Sequence, residues 1–204
     1  MKTFTYVAVL ISLVLYMVIT LNGVSNDIQS VQKTIEMSEQ QNVSMRTNIQ
    51  QRHSTERIQV YKKEIECLAT NMYFEARGEG EQGQDAVAFV TINRVRSDRY
   101  PDNVCDVVYQ ARTYASGHPI RNQCQFSWYC DGKVDTVIER VYNRIHRRAE
   151  YIYVNYHLND LMRDITDGAT HYHTEEVDPY WSRHRNYKYV ANIGHHVFYQ
   201  PTYD

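Results

Sequence analysis

This 204-residue sequence has no excess of positive charge. Its 22 lysines and arginines face 24 aspartates and glutamates, which gives a formal net charge of −2. Proteins that bind nucleic acid usually carry a basic surface, so the composition gives no sign of a nucleic-acid partner. Tryptophan and phenylalanine are also scarce, at 2 and 5 residues, whereas tyrosine reaches 18. Tyrosine-rich surfaces suit sugars, although packing at the edge of a core accounts for most such rings.

Charges and prolines are absent from residues 4–21, "FTYVAVLISLVLYMVITL". A helix of this length spans about 27 Å, close to the thickness of the hydrocarbon core of a bilayer. Lys2 before it and Asp27 after it favour a cytoplasmic N-terminus and an exported remainder. Residues 1–23 are therefore predicted to form a single-pass transmembrane signal-anchor, with the rest on the periplasmic or cell-wall side. The alternative is a cleaved signal peptide, with "GVS" before Asn26 as the cut site.

Proline is absent from residues 24–66 as well, and this stretch is rich in Gln, Asn, Ser, Glu and Lys. Ile28, Val31 and Ile35 follow the three–four spacing of a coiled coil. The sequence thus predicts a helical stalk over residues 24–60 that associates weakly with itself. The alternative is a polar helix that only separates the following domain from the bilayer.

No Cys-x-x-Cys pair is present, which makes a zinc site the less favoured role for the cysteines. An exported domain meets an oxidising compartment, where Cys67, Cys105, Cys124 and Cys130 are expected to form disulfides. Four cysteines allow three complete pairings, and the sequence does not choose among them. Cys124 and Cys130 frame a loop short enough to close, whereas Cys105 needs a partner from further away.

The remaining residues, 61–204, are predicted to form one catalytic domain that is mostly α with a small β element. Asp102 is expected to cap the third of its helices. The hydrophobic spacing predicts helices over residues 65–75, 83–96, 102–109, 134–153 and 158–165, a loop over 113–132, and one or two strands around Gly194.

The segment "NMYFEARGEGEQG" contains the main candidate for a catalytic residue, Glu75, which lies among apolar residues. Apolar surroundings disfavour a charged carboxylate and raise its pKa, which is what a general acid near neutral pH requires. Glu79 follows four residues later and would be its neighbour if the helix continued. The alternative is a solvated turn whose glutamates pair with Arg77 or Arg94.

The run "YFEARGEGEQGQDAVAFVTINRV" resembles the signature of the SleB/CwlJ cell-wall hydrolases, a family of spore cortex-lytic enzymes that also occurs in phages. The blocks "YPDNVCDVVYQ", "CQFSWYCDG", "GATHYHTEEVDPYW" and "IGHHVFY" resemble later motifs of the family in the same order, over residues 65–199. The resemblance implies a lysozyme-like helical catalytic domain that needs no cofactor. It also implies cleavage of peptidoglycan at the β-1,4 bond between N-acetylmuramic acid and N-acetylglucosamine.

The resemblance assigns Glu75 to the family's catalytic glutamate, the general acid and then base of a lytic transglycosylase. Glu79 is a secondary candidate, the second acid that a hydrolase usually needs. Core packing is the alternative role for most of the residues expected to line the sugar groove, which are Gln125, Phe126, Ser127, Trp128, His171, Tyr172, His173 and Trp181.

Two rival functions stay open at this stage. A His-x-His on a strand puts both rings on one face, so His171, His173 and His195 could hold zinc in a metal-dependent peptidoglycan amidase or peptidase. The other rival is a membrane-anchored protein that binds the wall without cutting it, and the glutamate retained at Glu75 argues against it.

Overall fold

The computed structural model of the chain describes residues 2–202, with side chains from residue 10 onward. The chain consists of two compact units, of which the first ends at Arg57 and the second begins at Ile58. Helix α1 (Lys2–Ala76) accounts for the first unit and ends within the second. The described part of α1 holds an exposed segment that is long and apolar enough to cross a membrane, by length and composition only. The signal-anchor and the stalk remain predictions.

The second unit combines helices with two small antiparallel sheets. β1 and β2 form a hairpin, and the other three strands form a sheet in the order β3-β5-β4. This mostly helical architecture confirms the predicted fold class. The elements after α1 are α2 (Glu81–Val95), α3 (Val104–Val108), β1 (Ala111–Thr113), β2 (Pro119–Cys124), α4 (Glu139–Ile152), β3 (His171–Thr174), β4 (Tyr187–Ile193) and β5 (His196–Pro201), with 3-10 turns at Ser127–Cys130 and Tyr180–Arg183 and a π-helical segment at Tyr153–Leu158.

Helix α2 lies at the centre of the unit and is buried on all sides from Gly83 to Arg94. Phe89 and Ile92 belong to the larger apolar cluster, which α1, α3 and α4 share. Val90 belongs to a smaller cluster in which it packs with Phe198 of β5. Small and β-branched residues along α2 allow both the helices and the sheet to approach it closely. The helix thereby fixes the sheet against the end of α1.

Two disulfides complete the unit, which confirms that the four cysteines are paired. Cys67 of α1 pairs with Cys105 of α3 across a sequence separation of 38 residues. Cys124 at the end of β2 pairs with Cys130, six residues later. The structure thus gives the pairing that the sequence left open, and the described residues contain no free cysteine.

The predicted start of the long helix at residue 134 is wrong, because α4 begins at Glu139. Val134, Val137 and Ile138 have helical spacing, yet their side chains are exposed. The reason is a long-range contact, since the backbone N–H of Ile138 donates to the Tyr73 hydroxyl at 2.8 Å. A backbone donor engaged in this way at the helix N-cap fixes the start of α4.

The helix predicted over residues 158–165 is also wrong. Asp164 accepts hydrogen bonds from the backbone N–H groups of Thr166 and Gly168, at 2.7 and 2.8 Å, and from the Asn93 amide at 2.8 Å. Asp160 and Asp167 adopt positive φ angles of 52° and 48°. An aspartate that binds nearby backbone groups favours a turn over a helix, and here it pins the loop to α2.

Two smaller predictions also need correction. The region 113–132, predicted as a loop, contains β2 and a 3-10 turn. The side chain that caps α3 belongs to Asn103 rather than Asp102, and it accepts from the backbone N–H of Asp106 at 2.8 Å. Capping by Asn is as favourable as capping by Asp, so the sequence alone did not distinguish these neighbours.

Candidate active site

Glu75 lies in the last turn of α1, one residue before the helix ends at Ala76. Its neighbours Met72, Tyr73 and Ala76 are buried, whereas Glu75 itself is only partly covered. The helix therefore presents this carboxyl group at the boundary between the core and the surface. A carboxyl group in this position is sheltered from water but still accessible to a bound molecule.

Tyr172 and Arg94 set the electrostatics of Glu75. The Tyr172 hydroxyl donates to Glu75 Oε2 at 2.9 Å. Burial raises the pKa of Glu75 above its ordinary value, while the hydrogen bond from Tyr172 and the positive charge of Arg94 oppose the rise without cancelling it. Burial of the carboxyl group is therefore the dominant effect, and it favours the protonated acid.

Arg94 is a fixed positive charge at the end of α2. Its Nε donates to the carbonyl oxygen of Thr170 at 2.8 Å, and its guanidinium lies 4.9 Å from the ring centre of Phe126. Its Nη1 has no hydrogen-bond partner within the described part of the chain. Burial lowers the pKa of Arg94, but an arginine side chain stays protonated at neutral pH, so Arg94 acts on Glu75 as a positive charge. Glu75 is therefore less solvated than the alternative considered from the sequence supposed, although Arg94 does act on it as that alternative expected.

Glu79 is bound to the turn between β4 and β5. Its carboxylate accepts from the backbone N–H of His195 at 3.2 Å and lies 3.0 Å from His195 Nδ1. Gly194 in this turn has a φ of +61°, and a Cβ there would lie 2.1 Å from Glu79 Oε2. Only glycine leaves room for this carboxylate. Gly83 of α2 makes room on the other side, because a Cβ there would lie 2.8 Å from Glu79 Cβ.

A ring contact connects the two glutamates. Tyr172, which bonds Glu75, packs edge to face against His196 with ring centroids 5.1 Å apart. His196 is buried, its Nδ1 lies 3.9 Å from Glu79 Oε1, and burial lowers its pKa. Glu75 and Glu79 thus belong to one site whose parts come from α1, β3 and the β4–β5 turn.

His171, His173 and Trp181 come together on the outer face of the three-stranded sheet. Trp181 lies 5.4 and 5.7 Å from the two imidazole rings, centre to centre. His171 Nδ1 lies 2.9 Å from Thr170 Oγ1, and burial, aided by the charge of Arg94, lowers the pKa of His171 to about 4. The imidazole of His171 is accordingly neutral at neutral pH. This cluster offers aromatic faces beside the site.

The segment from Gln125 to Trp128 divides between surface and core. Phe126 and Trp128 are buried in the larger apolar cluster, whereas Gln125 and Ser127 are exposed. Trp128 stacks on Phe74 at 4.7 Å between ring centres. Trp128 Nε1 also donates to the Asn71 amide oxygen at 3.0 Å. Trp128 therefore packs against the end of α1, the helix that carries Glu75.

The three histidines of the zinc alternative are not brought together. His171 is engaged by Thr170, His173 Nε2 lies 3.2 Å from the Tyr199 hydroxyl, and His195 is bound to Glu79. Across residues 2–202, no three His, Cys, Asp or Glu side chains are grouped so that they could hold one metal ion.

Sequence reasoning missed how Tyr172 and His196 are used. Tyr172 was expected to bind substrate, but its hydroxyl is bonded to Glu75. The alternation of "THYHT" contains the signal, because neighbours of His171 and His173 on a strand point to the opposite face. That face is the one that packs on α2 and reaches the end of α1.

A partly buried carboxyl group with a raised pKa, held by a tyrosine beside a fixed arginine, is typical of an enzyme that uses a general acid. The chain belongs to the cell wall hydrolase family, whose profile matches residues 78–199. Glu75 lies just before the matched segment, so its role depends on the geometry described above.

The curated relatives that match this chain are spore cortex-lytic enzymes. The spore cortex-lytic enzyme of Halalkalibacterium halodurans is 29% identical over 138 residues, which is 66% of this chain and 34% of that protein. The corresponding enzyme of Oceanobacillus iheyensis is 40% identical over 55 residues, or 27% of this chain and 20% of that protein. The chain thus spans between a fifth and about a third of these relatives.

Two solved structures are similar to this chain over 67% of its length. The catalytic domain of the Bacillus cereus SleB protein is 24% identical with a TM-score of 0.45, and 89% of that domain is covered. The catalytic domain of the germination-specific lytic transglycosylase SleB from Bacillus anthracis is 25% identical with a TM-score of 0.48, and 93% is covered.

Proposed function

We propose that this chain cleaves the glycan strands of peptidoglycan at the β-1,4 bond between N-acetylmuramic acid and N-acetylglucosamine, with Glu75 as general acid and base. The observation that carries the proposal is the partly buried Glu75 carboxyl group, whose pKa is raised by burial and whose Oε2 is held by Tyr172. Membership of a cell wall hydrolase family gives the substrate class.

In the first step the protonated Glu75 donates to the bridging oxygen as the bond from C1 of the muramic acid to that oxygen breaks. Positive charge develops on the sugar ring, as in other glycosidases. The carboxylate left behind is stabilised by the Tyr172 hydroxyl and by the charge of Arg94. Burial favours the acid before the step, and these two groups favour the anion after it.

In the second step the two routes differ in the nucleophile. For a lytic transglycosylase, the C6 hydroxyl of the same muramic acid attacks C1 and gives its proton to the Glu75 carboxylate, which forms a 1,6-anhydro ring. A hydrolase uses water, usually with a second carboxylate. We favour the first route, because Glu79 is covered and engaged by His195 at both its backbone and side chain.

The products distinguish these routes. The full chain in detergent is incubated with purified peptidoglycan in water enriched in ¹⁸O, and the soluble products are analysed by mass spectrometry. The transglycosylase route is expected to give anhydro-muropeptides without the isotope, because no water is consumed. Reducing ends that contain ¹⁸O would contradict it in favour of hydrolysis. Released peptide stems with intact glycan would contradict the whole proposal in favour of an amidase.

The pH profile tests the contact between Tyr172 and Glu75. Tyr172→Phe removes a hydrogen bond that favours the charged carboxylate, so the pKa of Glu75 rises further. Because the acid must be protonated, activity is lost as pH rises through this pKa. The basic limb of the kcat/KM profile is therefore expected to move to higher pH. Tyr114→Phe removes an exposed hydroxyl elsewhere and should leave the limb in place. An unmoved limb in Tyr172→Phe would show that Glu75 is not the titrating acid.

We further propose that the apolar part of α1 anchors the chain in a membrane and that residues 24–60 form a stalk. The exposed apolar side chains of Ile28, Val31 and Ile35 support weak self-association of this stalk. An anchored domain of this kind acts on the wall outside the cytoplasm. Its substrate is then limited to the strands within reach of the membrane.

A further inference from the structure

A pocket next to Glu79 is not used by the proposed reaction. It has a volume of about 400 Å³ and lies between the start of α2 and one face of α4. The pocket is lined by Glu79, Gly80, Glu81, Gln84, Arg144, Arg147, Arg148 and Tyr151. Glu79 is linked to Glu75 through His196 and Tyr172, so a group bound in this pocket would be close to the proposed catalytic carboxyl group.

The α4 wall of the pocket is basic. Arg144, Arg148 and Tyr151 follow one another at spacings of four and three residues along α4, and Arg147 lies three residues after Arg144, which places all four on one face of the helix. Arg148 has a carboxylate partner, since it donates hydrogen bonds of 2.7 and 2.5 Å to Asp85 of α2. Within residues 2–202 the structure gives Arg144 and Arg147 no such partner.

The α2 wall adds donors at its start. Gly80, the N-cap of this 15-residue helix, provides no side-chain cap, so the first backbone N–H groups are not satisfied by a capping side chain. A helix N-terminus carries partial positive charge and favours an anion. Glu79 is already engaged by His195, and Glu81 is exposed at the rim. A carboxylate entering the pocket would therefore face the two arginines of α4.

We propose that this pocket binds a carboxylate of the peptide stem that branches from muramic acid, with Arg144 and Arg147 as the residues that recognise it. The inference rests on the proposed function and names the part of the substrate that determines specificity. Each arginine supplies a charge-assisted hydrogen bond to an anionic oxygen. The enzyme then prefers strands that carry stems over bare glycan.

The preference is measured with the full chain in detergent on two substrates. One is peptidoglycan that keeps its stems, and the other is the same material after an amidase has removed them. Arg144→Ala/Arg147→Ala is expected to lower the ratio of kcat/KM on stem-bearing to stem-free material about ten-fold. Arg140→Ala, on the same helix but outside the pocket, should leave the ratio unchanged. An equal loss on both substrates, or an unchanged ratio in the double variant, overturns the proposal.

A binding measurement separates this inference from the proposed function. Glu75→Gln protein is sedimented with both materials after acid treatment has stripped phosphate-bearing wall polymers. Stem-dependent binding that is lost in Arg144→Ala/Arg147→Ala supports the inference even if the wild-type chain cleaves nothing. Equal binding to both materials overturns it. Arginine-dependent binding seen only before the acid treatment also overturns it, because the ligand is then a phosphate polymer.

Discussion

Replacing Glu75 by glutamine is expected to lower peptidoglycan cleavage by about a thousand-fold. Glutamine has the shape of the acid and can accept the hydrogen bond from Tyr172, but it has no proton to give. Although the substitution lowers activity, it is not expected to lower the stability of the fold. The raised pKa means that the ionised Glu75 opposes folding at a pH above that value, and glutamine removes this penalty. The melting temperature at neutral pH should therefore stay the same or rise.

The control for this variant is Glu66→Gln, which removes an exposed carboxylate from the same helix. It is expected to leave cleavage unchanged. Both variants are assayed by the release of soluble fragments from peptidoglycan, with unfolding followed by circular dichroism. Full activity in Glu75→Gln together with loss in Glu79→Gln would transfer the acid role to Glu79. Loss of activity with a lowered melting temperature in Glu75→Gln would indicate a structural role instead.

Removing the disulfide between Cys67 and Cys105 is expected to lower the free energy of unfolding by about 4 kcal/mol. The value follows from chain entropy, because the bond closes a loop across 38 residues. Cys67→Ala/Cys105→Ala loses this restraint on the unfolded chain. Cys67 lies on the helix that carries Glu75, so a looser end of α1 should also weaken cleavage. Urea denaturation with and without the two substitutions measures the difference.

The second disulfide provides the matched comparison. Cys124→Ala/Cys130→Ala opens a loop of only six residues, for which the same relation gives about 2 kcal/mol. The larger effect should therefore belong to the bond between α1 and α3. If the shorter loop proves the more costly to open, then the 3-10 turn near Trp128 matters more to the fold than the contact between the helices.

Local sequence patterns were sufficient to predict those helices and strands whose bounds depend on nearby residues. The boundaries predicted for the central helix differ from those of α2 by one or two residues, because Gly80 precedes it and its apolar run is continuous. The strands around Gly194 were predicted from alternation and a glycine that the structure holds at positive φ. The start of α4 was not predictable, because it depends on Tyr73, which lies 65 residues away from Ile138.

The candidate site, like the fold, could be predicted from the sequence only in part. Glu75 was predicted as the acid from its apolar neighbours and from the family resemblance, both of which are local. Its partner Tyr172 lies 97 residues further along the chain, and the residue that holds Glu79 is 116 residues away. Such contacts depend on the packing of the sheet against α2, which no spacing in the sequence encodes. The zinc alternative assumed a meeting of histidines that the sheet does not produce among the described residues.

The enclosure of α2 has a practical consequence for anyone who wishes to modify this protein. From Gly83 to Arg94 the helix has no outward side on which a fluorophore, a cross-linker or a crystal-engineering change could be placed. The β1–β2 hairpin offers the contrast, because Arg121, Asn122 and Gln123 all face solvent. Labels and fusion points therefore belong on the hairpin, and the central helix should be left untouched.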